Sequence, residues 1–183
     1  SDPDTFVHEL VHLFVGESVR SPLGRRVPGW LNEGLAVYMQ HRKLIGPASI
    51  APAAKSGNLL PLSAMNSVPG RRDDVAMFYP QAGAFVGYLA TRFGMESIGA
   101  MIAGLDAGYR VNEIATQVFG TSLVDLDLAF REVAGQWPES NMSEQTERSP
   151  HSVTFWIFLI VLIGGIGGAA AAMLKFKYRR ERV

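Results

Sequence analysis

No cysteine occurs among the 183 residues. Disulfides are therefore excluded, and no thiolate is present to bind a metal or act as a nucleophile. An excess of either charge is also lacking, with 17 Lys+Arg against 17 Asp+Glu. Nothing in that balance draws the chain to nucleic acid, and no such partner is expected. Internal repeats are absent, and no serine nucleophile or pair of acids forms a catalytic set. Histidine is scarce at four residues. Two of them nevertheless stand four positions apart.

His8-Glu9-Leu10-Val11-His12 spells H-E-x-x-H. With four histidines and ten glutamates in the chain, chance produces such a match in roughly half a percent of cases. On a helix, residues i and i+4 lie one turn apart on the same face, so both imidazoles can reach one ion. Glu9 then sits a little over a quarter of a turn round, placed to handle a water at the metal without ligating it. Asp2-Pro3 reads as an N-cap followed by proline at the first helical position, and Asp4 suits the helix dipole. Phe6, Val7, Leu10, Val11, Leu13, Phe14 and Val15 surround this helix with apolar side chains, and Gly16 marks its end. Such a pattern predicts a helix packed inside the protein. Its polar members, His8, Glu9 and His12, would be costly to bury without partners.

A third ligand is expected from the next helix. Pro28-Gly29 reads as a turn into a helix running to about His41. Twenty residues separate His12 from Glu33, enough for one loop (residues 17–28) and a return of the chain. The Glu33 carboxylate completes a His-His-Glu set that leaves a fourth position open, as a catalytic zinc site requires.

Trp30-Leu31-Asn32-Glu33-Gly34-Leu35-Ala36-Val37-Tyr38 after H-E-x-x-H resembles the gluzincin metallopeptidases, specifically their peptidase MA-like branch. The W-L-N-E-G block is also similar to that of the zinc aminopeptidases. Further on, Tyr79-Pro80-Gln81-Ala82-Gly83-Ala84-Phe85-Val86-Gly87-Tyr88-Leu89, ending at Phe93-Gly94, resembles the helix that carries a catalytic tyrosine in those enzymes. The resemblance covers residues 4–135. It implies a mainly α, zincin-like catalytic domain, the helical C-terminal part of a fold whose sheet precedes Ser1; the sequence is thus expected to be a fragment. It also implies Zn2+ held by His8, His12 and Glu33, with Glu9 as general base and Tyr79 hydrogen-bonding the oxyanion of a peptide or protein substrate. One departure concerns Val37, which stands where thermolysin-like members carry an aspartate that orients a ligand histidine. The partner that orients His8 or His12 is left open.

The far end carries a different signal. Residues 153–174 form a run of 22 whose clearly polar member is Thr154. About 20 apolar residues span a bilayer's hydrocarbon core as a helix, so this run is expected to be a transmembrane helix. Residues 175–183 hold five bases and one acid. The positive-inside rule puts that tail in the cytoplasm and residues 1–152 outside, on the plasma membrane of the cell. The ectodomain then keeps 12 Lys+Arg and 16 Asp+Glu. Gly164 and Gly168 offer a small-xxx-small face for a homodimer through the span. H-E-x-x-H lies far upstream of the span, which excludes an intramembrane protease.

The organisation expected is a domain over 1–137, a Ser-, Glu- and Pro-rich flexible stalk over 138–152, the span over 153–174 and the basic tail. Within the domain, residues 47–61 read as a long loop. Helices are expected over 74–93, 96–107, 111–119 and 122–134, the last capped by Thr121. His41 and His151 read as surface residues, the second at the membrane interface. An alternative reading keeps the fold without turnover, as a membrane-tethered binding or structural module.

Overall fold

A computed structural model describes residues 3–40 and 50–137. The stalk, the span, the basic tail, the Gly164/Gly168 pair, His41, His151 and the Asp2 cap lie outside the described residues. Among the described residues no helix is long and apolar enough to cross a membrane. All regular structure there is helical: α1 (Pro3–Ser18), α2 (Gly29–Gln40), α3 (Ala51–Lys55), α4 (Arg72–Phe93), α5 (Met95–Asp106), α6 (Val111–Phe119) and α7 (Leu123–Gln136), with a 3-10 turn at Leu62–Met65. The mainly α expectation holds.

The central pair is α2 on α4. Both helices are rich in small residues on their shared face, which lets the backbones approach closely. At Gly34 an added Cβ would stand 2.5 Å from the carbonyl oxygen of Ala82. Only glycine fits there, and the contact sets how far α2 sinks onto α4. Behind it lies an aromatic ladder in which Trp30 meets Phe85 edge-on at 5.2 Å and Phe85 meets Phe130 at 5.1 Å. These rings are buried, and they tie α2, α4 and α7 into one core. Helix α1 lies across α2 and touches α5, while α5 also packs on α4 and α6.

Four expectations need correcting. α1 is not enclosed: Val11 and Val15 are buried, but Phe6, Leu10 and Leu13 are exposed at 64%, 39% and 67%. Apolar side chains all round a helix do not dictate that every face gains a partner, and α1 sits at the edge of the bundle with α2 and α5 on one side. Gly16 does not end α1, which continues to Ser18; one exposed glycine lowers helix propensity by only about 1 kcal/mol. The 47–61 segment is not wholly loop, because α3 forms within it, with Pro52 in its first turn, where the missing N–H costs nothing. Finally, Ser122 rather than Thr121 caps α7, its Oγ accepting from the Asp125 N–H. The other boundaries fall within a few residues of expectation, and Gly94, at φ 83°, closes α4 by donating to the Ala90 carbonyl.

Polar clamps hold the irregular stretch after α3. The buried Gln81 amide both accepts from the Leu60 N–H at 2.8 Å and donates to the Leu60 carbonyl at 2.7 Å. Arg131 of α7 donates to the Leu59 and Leu60 carbonyls, and Asp127 accepts from both Arg131 and the Leu62 N–H. The Leu59 carbonyl, both backbone groups of Leu60 and the Leu62 N–H are thereby partnered.

Candidate metal centre

His8 and His12 project from one face of α1 toward Glu33 on α2. Their Nε2 atoms lie 3.6 Å and 3.4 Å from the same oxygen, Glu33 Oε2. The two rings meet edge-on, with centroids 4.7 Å apart. One donor atom from each residue falls within 4.8 Å of the others. All three side chains are about one-sixth to one-quarter exposed, so the cluster is roofed by protein yet reachable.

The distances discriminate between two interpretations. An N–H···O hydrogen bond spans roughly 2.7–3.2 Å, and both contacts are longer. Ligands about 2.0–2.1 Å from a tetrahedral ion stand roughly 3.3–3.5 Å from one another; the two histidine–Glu33 distances are close to that, and the three donor atoms together lie within 4.8 Å. His8 Nδ1 lies 3.0 Å from the side-chain oxygen Oε1 of Gln40, an acceptor, so Nδ1 donates there and Nε2 is the ring nitrogen left facing the Glu33 carboxylate, as a metal ligand must be. The donor set fits a metal.

Gln40 is the residue that sequence reasoning missed. It stands seven positions after Glu33, two turns along the same face of α2, and takes the orienting role that Val37 cannot. The signal available was its i, i+7 spacing from Glu33. Nothing local, however, says which residue of that face meets His8. The other histidine differs: His12 Nδ1 is buried and takes no hydrogen bond among the described residues. Asn32 donates to Glu33 Oε1 at 3.5 Å, a long contact.

The remaining two residues lie near the cluster without joining it. Glu9 is exposed on α1 beside His8, which keeps its carboxylate in contact with solvent. Tyr79 is half-buried on α4, its ring edge-on to Phe78 at 5.3 Å. It precedes Ala82 by one helical turn, and Ala82 is the point of closest approach to Gly34, the neighbour of Glu33. Burial, and then the Glu33 carboxylate, push the Tyr79 hydroxyl pKa above its ordinary value. Both effects favour the neutral phenol, which is a hydrogen-bond donor. Tyr88 is engaged elsewhere, accepting from Arg92 at 2.6 Å and packing against Phe85 and Phe130.

A cavity of about 410 Å³ adjoins the cluster on the His12 side, lined by Val15, Val19, Arg25, Arg26 and Asn32 among others. Its outer wall is the loop joining α1 to α2. That loop is fastened to the end of α5 and the turn after it: Ser21 N–H to Asp106 at 2.7 Å, Arg25 N–H to the Leu105 carbonyl at 2.8 Å, and Arg25 Nε to the Gly108 carbonyl at 2.9 Å.

No curated protein and no solved structure matches the chain. A family model for the peptidase MA superfamily does match, over residues 3–134. That span takes in both histidines of the motif, Glu33, Tyr79 and nearly all the described helices. Together with a His-His-Glu cluster whose spacing suits a metal ion, it settles the kinship: the chain belongs to the peptidase MA superfamily.

Proposed function

We propose that the protein is a zinc-dependent metallopeptidase, anchored by residues 153–174 with its site outside the cytoplasm. The observation that carries the hydrolase reading is the meeting of His8 Nε2 and His12 Nε2 on Glu33 Oε2, with the far side of His8 held by Gln40. Two imidazoles and one carboxylate are the ligand set of catalytic zinc sites that leave a position open. The 22-residue apolar run and the basic tail after it support the anchor and its orientation.

Bound at the cluster, zinc supplies Lewis acidity, which lowers the pKa of a water and polarises a carbonyl. The protein's own groups do the rest. Glu9, one residue from a ligand and open to solvent, takes the proton of the attacking water and passes it to the leaving amine. Tyr79, a phenol within the field of Glu33, donates a hydrogen bond to the oxygen on which charge develops. Gln40 fixes the His8 tautomer so that Nε2 stays free.

Metal content and peptide cleavage of the full-length chain and of Glu9→Gln test this together. One zinc per chain is expected in both, with hydrolysis lost in the variant because the shape remains while the base is gone. Folded protein that takes up no zinc at neutral pH overturns the metal reading. Zinc-loaded protein that cleaves no peptide leaves the tethered binding module instead.

A further inference from the structure

The cavity next to His12 has a chemical character that the metal cluster does not explain. It is an open cleft of about 410 Å³ whose lining includes His12, Arg25 and Arg26. Both arginines are exposed, but their loop is fixed to the end of α5 and the turn after it through its backbone, and Arg25 is fixed through its side chain as well. Using Nε on the Gly108 carbonyl leaves the terminal guanidinium nitrogens of Arg25, with four N–H donors, without a partner among the described residues. Neither Arg25 nor Arg26 is paired with a carboxylate among the described residues. Arg20, on the same loop, is by contrast paired with Glu17 at 2.8 Å. Among the described residues, the cavity wall thus offers two cations without a carboxylate partner, one of them pre-oriented, and no acid in its lining.

We propose that this cavity is a carboxylate-binding subsite, in which Arg25 and Arg26 receive an acidic group of the peptide whose scissile bond lies at His8, His12 and Glu33. The inference rests on the hydrolase reading above and extends it to substrate class. A guanidinium presents a fork of donors that matches a carboxylate in two parallel hydrogen bonds. A volume of several hundred Å³ admits one side chain or chain end with its hydration partly removed. The carboxylate can come from an aspartate or glutamate side chain or from a free C-terminus. Both present the same chemistry to the arginines.

The test uses matched peptides and the full-length, zinc-loaded chain. One pair differs by Glu against Gln beside the scissile bond, and a second by a free against an amidated C-terminus. Cleavage rates are measured on the wild type. Binding is measured by fluorescence anisotropy of labelled peptides on Glu9→Gln, so that affinity is read without turnover. One of the two acids is expected to be favoured about tenfold over its neutral partner, less as salt is raised, and which one it is identifies the source. Arg26→Ala should remove most of that preference while zinc content and helicity stay unchanged. Arg25→Lys should reduce it partly, since an ammonium keeps the charge but loses the fork. Equal affinity for acid and neutral peptides overturns the subsite, as does a preference that persists in the Arg25→Ala/Arg26→Ala double variant. Acid-selective binding without cleavage of any peptide keeps the subsite and refutes the hydrolase reading alone.

Discussion

Replacing Gln40 by leucine removes the acceptor for His8 Nδ1 while keeping nearly the same volume. In the native protein that 3.0 Å hydrogen bond selects the tautomer with a bare Nε2 and holds the ring at 3.6 Å from Glu33 Oε2. Without it the imidazole is free to rotate and to exchange tautomers, so part of the population presents N–H rather than a lone pair to the ion. Loss of such an outer partner typically lowers metal affinity 10- to 100-fold, or about 1.4–2.7 kcal/mol. Competition against a chromophoric zinc chelator measures the change directly. It should also appear in melting. At saturating zinc a tenfold weaker Kd removes about 1.4 kcal/mol of ligand-linked stability, roughly 3–6 °C for a chain of this size. The metal-free melting temperatures of variant and wild type should agree closely, because Gln40 is only partly buried. Gln40→Glu serves as rescue, since a carboxylate accepts the same proton more strongly. Unchanged zinc affinity in Gln40→Leu would refute the orienting role, and an equal drop in metal-free and zinc-bound stability would reduce it to packing.

Tyr79→Phe keeps the ring and its contact with Phe78 but removes the hydroxyl, so turnover should fall roughly a hundredfold with little change in zinc affinity; unchanged turnover returns the residue to the core. Gly34→Ala places a methyl 2.5 Å from the Ala82 carbonyl oxygen, and separating α2 from α4 should cost about 1–3 kcal/mol or more in urea unfolding. The same separation moves Glu33, so zinc affinity should drop with it, and a variant as stable as wild type would show that the helices have slack. A reporter fused after Val183 should face the cytoplasm, and protease added outside the cell should release the domain by cutting between residues 138 and 152; a reporter found outside reverses the orientation.

The three candidate ligands were legible in the sequence because their placement needs little beyond local geometry. Four-residue spacing on a helix stacks His8 over His12 whatever surrounds them. Twenty intervening residues bring the chain back with one loop, and Glu33 then meets both rings. Helix ends were readable within a few residues for the same reason, as at Gly94, where a positive φ favours glycine. Local pattern failed where a neighbour decided the outcome. The apolar circuit of α1 could not say which faces would be covered, and the bundle covers only one side. Gln40 meets His8 because of how α1 packs on α2, just as Gly34 matters because of how α2 packs on α4. Arg25 and Arg26 line the cleft beside His12 on a loop tied to Leu105, Asp106 and Gly108, about 80 residues later in the chain. A helix repeats its own geometry every few residues, so sequence spacing fixes what a single helix presents. The approach of two helices is set by side chains distant in sequence, and only the packed structure brings those together.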